Sequence, residues 1–248
     1  MVVLEICAGS LTSAIAAEKG GAQRVELCEN LAEGGTTPSA GMISQVVKLL
    51  SIPVFVLIRP RSGDFLYIGE EFEAMKEDIL FCKEHHAGGV VFGMLKPDGS
   101  IDMERNAELV RLAYPMQLTF HRAFDRARDP FQAMEDIIKV GFNRILTSGQ
   151  SANAIEGAAL IAELISKAAG RIIIMPGAGI NENNILDLEK ITKAVEFHAS
   201  LRSPVKSRMK YRNEKAFMGK AGEDEYTRLE TDPERVSQII EKLNDLTL

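Results

Sequence analysis

Apolar and polar positions alternate along the chain in two patterns, short apolar runs and longer stretches in which apolar residues recur at helical spacing. The runs are Leu4-Glu5-Ile6-Cys7, Val25-Glu26-Leu27-Cys28, Val54-Phe55-Val56-Leu57-Ile58, Gly89-Val90-Val91-Phe92, Gln117-Leu118-Thr119-Phe120, Arg144-Ile145-Leu146, Arg171-Ile172-Ile173-Ile174-Met175 and Ala194-Val195-Glu196-Phe197-His198. Between and after them the pattern predicts helices over residues 10–19, 39–50, 70–85, 102–114, 129–140, 153–169, 181–190 and 232–243. Local chemistry marks the boundaries. Ser39 and Asn181 are placed to cap helices, Asp129-Pro130 is an N-cap followed by a proline at the first helical position, and Gly20-Gly21 and Gly141 end helices. Strand, helix and strand in alternation imply a parallel sheet with right-handed crossovers. Eight such units predict one closed (β/α)8 TIM barrel over residues 1–248, a single domain of the size typical for that fold. No G-x-G-x-x-G follows the first strand, where a dinucleotide-binding sheet would carry it.

One connection is out of proportion. Residues 201–231 separate the eighth strand from the last helix, basic in the first half and acidic in the second. They read either as a solvated excursion or as a lid or subunit contact.

Composition narrows the class. Apolar residues make up 46% and charged residues 26%, ordinary for a soluble globular protein. The net charge of −6 argues against nucleic acid or an anionic membrane as a general partner. No apolar stretch approaches a bilayer span, and no signal peptide is read. Three cysteines do not make a disulfide framework. The expected location is the cytoplasm.

In such barrels the working residues collect at the C-terminal ends of the strands. Alternation places Glu5 with Cys7, Glu26 with Cys28, and Glu196 with His198 on shared faces. Arg59, Arg61 and Asp64 follow strand three, His121, Arg122 and Asp125 follow strand five, and Thr147 and Ser148 end strand six. Both signs of charge therefore converge on one mouth. Glu5, Glu26 and Glu196 are expected to pair with Arg59, Arg61 and His121, either as a functional site or as an ion-pair plug. Gly177 and Gly179, after strand seven, form either an anion cradle or a tight turn. Cys82, His85 and His86 read as a core cysteine with solvated histidines.

Cys7 and Cys28 end adjacent strands, which lie ~4.8 Å apart. A metal at ~2.3 Å from each of two thiolates spans ~4.6 Å when linear. The spacing permits a two-coordinate site, and soft thiolates select Cu(I). A disulfide fits the same spacing but not the compartment, and each cysteine alone could be a small buried hydrophobe.

Several long motifs resemble the CutC family, proteins named for copper homeostasis. They are Leu4-Glu5-Ile6-Cys7, Arg24-Val25-Glu26-Leu27-Cys28, Glu33-Gly34-Gly35-Thr36-Thr37-Pro38-Ser39, Ile58-Arg59-Pro60-Arg61-Ser62-Gly63-Asp64-Phe65, Thr119-Phe120-His121-Arg122-Ala123-Phe124-Asp125, Leu146-Thr147-Ser148-Gly149 and Met209-Lys210-Tyr211-Arg212-Asn213. The resemblance runs nearly end to end. It implies a cytosolic (β/α)8 barrel that assembles as a homodimer or higher homo-oligomer and binds Cu(I) through Cys7 and Cys28. Ser62 departs from the glycine more usual at that place in the family.

The residues support three readings. The first is a copper homeostasis protein that takes a copper ion as Cu(I). The second is a barrel enzyme acting on a small anionic or phosphorylated ligand, with Glu5, Glu26 or Glu196 as base, His121 or His198 as acid, and Arg59 and Arg61 as the anion clamp. The third is a scaffold whose assembly is its function.

Overall fold

The computed structural model describes residues 2–213, 215–216, 218 and 224–245. Eight parallel strands alternate with helices: β1 (Val3–Ala8), β2 (Arg24–Leu27), β3 (Val54–Leu57), β4 (Gly89–Phe92), β5 (Gln117–Phe120), β6 (Arg144–Thr147), β7 (Ile173–Pro176) and β8 (Glu196–Ala199). Each strand lies beside its sequence neighbour, and β8 returns to β1. A parallel bridge between Gly177 and His198 completes the (β/α)8 barrel. Gly177 is required there, because an added Cβ would lie 2.4 Å from Leu146 Cδ1 and 3.3 Å from His198 Cβ.

The surrounding helices are α1 (Leu11–Lys19), α2 (Ala40–Leu49), α3 (Gly69–Glu84), α4 (Met103–Ala113), α5 (Pro130–Val140), α6 (Ala158–Ala168), α7 (Ile185–Thr192) and α8 (Pro233–Asp245). Ser10, Ser39, Asp102 and Asp129 cap α1, α2, α4 and α5 with their side chains, and Gly141 ends α5 with φ 106°. Their apolar faces pack against the outward residues of the strands, such as Leu4, Ile6, Val25, Val56, Val90, Phe120 and Phe197, to form the main core.

Two helices begin later than the pattern predicts. Residues 153–157 form a turn pinned to the loop after β6. Gly157 lies so close to that loop that a Cβ would stand 1.9 Å from the Ser148 carbonyl oxygen. Asn181 caps a local turn through Asn183 N–H instead of a helix, and α7 starts only at Ile185.

The long connection contains an antiparallel pair, β9 (Arg202–Lys206) and β10 (Thr227–Thr231), that the sequence did not announce. Glu230 on β10 accepts hydrogen bonds from the hydroxyls of Ser10 and Ser13, anchoring the pair at the start of α1. Part of the segment beyond β9, at 214, 217 and 219–223, lies outside the described residues. Among the described residues, no helix is long and apolar enough to cross a membrane.

Candidate functional site

The barrel interior is built in layers by alternate residues of the strands. Strand register decides which side chains are level. Glu5 lies opposite Arg24 on β2 and His198 on β8, Cys7 lies opposite Glu26, and Val3 lies opposite Glu196. Glu196 therefore opens β8 at its N-terminal end, with His198 two residues or ~6.6 Å nearer the mouth.

The lower layer is a buried charge network. Arg24, first residue of β2, donates from Nε to Glu5 and from Nη2 to Glu196 Oε2 at 2.5 Å. Arg144, first residue of β6, donates to the same Glu196 oxygen at 3.2 Å. Both guanidinium groups lie over the ring of Phe55, at 4.9 and 5.1 Å from its centroid. Burial opposes the charge on Glu5, but the Arg24 guanidinium and the His198 ring overcome it and bring its pKa down to about 2. The expected pairing of Glu5, Glu26 and Glu196 with Arg59, Arg61 and His121 is not formed: Glu5 pairs with Arg24 and His198, Glu196 with Arg24 and Arg144, and Glu26 faces His198. Arg24 and Arg144 share faces with Glu26 and Leu146, and counting back two residues would have found them.

Glu5 connects this layer to the one above. Its Oε1 lies 2.7 Å from His198 Nδ1, which orients the imidazole with Nε2 toward Glu26 Oε2 at 3.6 Å. Cys7, Glu26 and His198 bring ligand atoms within 4.8 Å of one another. Cys28 sits one step higher than Cys7 but leans in, so that the two Sγ atoms are 3.6 Å apart, with Cys28 Sγ 3.4 Å from Glu26 Oε2. All three cysteines are free thiols.

The protonation states follow from these contacts. The hydrogen bond from Cys28, opposed by burial and assisted by His198, holds the Cys7 thiol well below its usual range. The same bond, burial and the Cys7 charge push Cys28 well above it, so the two thiols share one proton. Burial works against a charged His198, but Glu26, Cys7 and Glu5 outweigh it and raise its pKa well above the usual value. Burial lifts Glu26 to about 8, against His198 and with the Cys7 and Glu5 charges. The contacts thus bias Cys7 toward thiolate beside a ring biased toward its charged form, the arrangement that activates a cysteine toward electrophiles.

Above this group opens a cavity of about 690 Å3, lined by Cys7, Glu26, Cys28 and His198, by Arg59, His121, Arg122 and Arg126, and by the carboxylates of Glu33 and Asp125. Arg59 donates to the carbonyl oxygens of Glu33, Gly35 and Gly63. His121 packs 4.8 Å from the ring of Phe65. Asp125 is committed to the loop after β6, accepting from Thr147 Oγ1, from Ser148 and from the backbone of Gln150, and it also binds Arg122.

Other predicted residues lie elsewhere. Arg61 is partly exposed, bound to Asp64 and Glu71 and stacked on Tyr67, and it does not line the cavity. Gly177 spends its N–H on the Thr147 carbonyl, and neither it nor Gly179 lines the cavity. Cys82 is fully buried in the outer core, where burial lifts its pKa to about 12, and His85 stacks on Phe81.

Fold and site together define a (β/α)8 barrel whose mouth carries paired cysteines beside a carboxylate-supported histidine. Residues 2–203 match the model of the CutC family, and the chain belongs to that family. It is 52% identical over 242 residues to a CutC family protein of Chromobacterium violaceum, covering 98% of each chain. It is 48% identical to a mouse protein named copper homeostasis protein cutC homolog, covering 96% of this chain and 88% of that one. Among solved structures, a copper homeostasis protein CutC from Streptococcus agalactiae superposes with a TM-score of 0.78 at 37% identity, covering 81% of this chain and 99% of its own. Phosphoribosylanthranilate isomerase from Thermotoga maritima, at 14% identity and a TM-score of 0.57, covering 99% of this chain and 100% of its own, shares the barrel fold.

Proposed function

We propose that the protein serves copper homeostasis by binding Cu(I) between Cys7 and Cys28, with His198 as a third ligand. The observation that carries this reading is the 3.6 Å separation of the two sulfurs at the base of an accessible cavity. It is about an ångström short of the ~4.6 Å a linear two-thiolate site requires. At ~2.3 Å per bond it subtends roughly 100° at the metal, an angle that leaves room for further ligands. His198 Nε2 is the nearest soft-compatible donor, and Glu5 on its other nitrogen supports it as carboxylates support metal-bound histidines. Glu26 is a hard oxygen donor poorly matched to Cu(I) and stays a neighbour of the thiols. Cys7, already biased toward thiolate, loses little on deprotonation, whereas binding must displace the proton held by Cys28 and the one on the His198 ring, so copper uptake releases protons.

Free thiols at this site suit a reducing compartment, and we assign the protein to the cytoplasm on that basis. Assembly into a homodimer or higher homo-oligomer is supported by Val205, Met209, Tyr211 and Leu229, exposed on and beside β9 and β10. X-ray absorption of the Cu(I)-loaded protein tests the ligand set. Two sulfur neighbours and one nitrogen are expected, and a spectrum without sulfur would contradict the reading.

A further inference from the structure

A copper ion between the thiols would fill little of the cavity, and another part of its wall carries Arg59, His121 and Arg126. At about 690 Å3 the cavity has the size of a small-molecule site, far beyond the ~30 Å3 that one water occupies in the liquid. Arg59, on that wall, is 5% exposed and appears in no ion pair among the described residues. Its hydrogen bonds go only to neutral carbonyl groups, and its charge lies 5.1 Å over the ring of Phe65. Glu33, which also lines the cavity, feels the Arg59 charge but makes no ion pair with it. Buried charges are normally paired, so a cation with no carboxylate at bonding distance calls for an anion.

His121, beside it, is also 5% exposed. Its Nδ1 accepts the backbone N–H of Ala123 at 3.3 Å, which makes Nε2 the donor nitrogen of the neutral ring. That Nε2 is buried without a hydrogen-bond partner. Burial and the neighbouring Arg59 charge bring the His121 pKa down to about 3, so the ring stays neutral and keeps this donor at physiological pH. A buried donor left unmade is costly, and in a cavity wall it marks where a ligand acceptor belongs. Arg126 adds an exposed positive charge at the rim, while Leu57, Phe65 and Leu146 give the cavity apolar surface suited to carbon.

We propose that this wall binds a small organic anion bearing a carboxylate or a phosphate. Its charge is offset by Arg59 and Arg126, and one of its oxygens accepts the hydrogen bond from His121 Nε2. The site shares the cavity with the thiols but does not use them, so it stands independently of the copper reading.

The test is calorimetric titration of the full-length, metal-free protein at constant ionic strength with succinate as the carboxylate probe and glycerol 3-phosphate as the phosphate probe. At least one should bind saturably, and the pair distinguishes which anionic group is preferred. His121→Leu should weaken binding at least tenfold. Arg126→Ala, on the surface and without risk to folding, should weaken it severalfold, and Cys82→Ser, in the outer core, should bind as the parent does. Absence of binding by both probes at 10 mM overturns the proposal. So does affinity unchanged in both the His121 and Arg126 variants.

Discussion

Replacing Arg24 with methionine removes the cation that holds the floor of the site together. Its side chain is 7% exposed and bridges Glu5, which is wholly buried, to Glu196. Glu196 retains Arg144, whereas Glu5 keeps only His198. Breaking one side of a buried ion pair costs ~3–5 kcal/mol, because a desolvated charge is left behind. Titration leads to a similar magnitude. The gap between the ordinary 4.5 of Glu5 and its folded value of about 2 corresponds to about 3 kcal/mol. Because the folded pKa is depressed, this contribution is complete above pH 4.5 and is lost as pH falls toward 2. Urea unfolding followed by circular dichroism should show Arg24→Met less stable by ~3–5 kcal/mol at pH 7, or ~6–20 °C in Tm. The gap to the parent should narrow as pH falls through that window, and adding Glu5→Gln to the variant should recover part of the loss. A loss below ~1 kcal/mol at pH 7, or a gap constant down to pH 3, would refute the claim that Arg24 stabilises a charged Glu5.

Other expectations are equally concrete. Iodoacetamide at pH 7 should modify Cys7 first and Cys82 last, as Cys7 is biased toward thiolate while Cys82 is lifted to about 12; peptide mass spectrometry showing Cys82 modified as fast as Cys7 would contradict this. Gly177→Ala forces a Cβ against Leu146 and His198 and should cost ~1–3 kcal/mol in chemical denaturation, so an unchanged midpoint would mean the closing contact is slack. Deleting residues 206–225 should lower the number of chains per particle found by light scattering, and an unchanged number would remove this segment from any assembly interface.

Much of this architecture was legible because the barrel repeats its local rules. Alternation within Leu4-Glu5-Ile6-Cys7 and Val25-Glu26-Leu27-Cys28 places their acids and thiols inside the barrel. What alternation cannot supply is register. The offset that sets Cys7 opposite Glu26, and not opposite Cys28, is a property of the whole closed sheet. Glu196 shows the same limit. β8 begins at Glu196 and not at Ala194, which moves that carboxylate from the mouth to the floor. Arg24 and Arg144 each open a strand, where an arginine ordinarily marks a solvated end, so the pattern alone does not single them out. The β9–β10 pair was hidden by Pro204 and by a polar sequence with little alternation, and its anchor, Glu230 on Ser10 and Ser13, spans most of the chain.

The central claim is the thiolate site, and a Cu(I) competition titration under anaerobic, reducing conditions tests it most directly. Cys7→Ser and Cys28→Ser should each abolish tight binding, while Cys82→Ser, remote in the outer core, should leave the affinity at the parent value. Serine nearly preserves shape, so similar unfolding midpoints of the metal-free proteins would show that the loss is one of ligand chemistry. Cys7→Ser and Cys28→Ser proteins that hold Cu(I) as tightly as the parent would contradict the account.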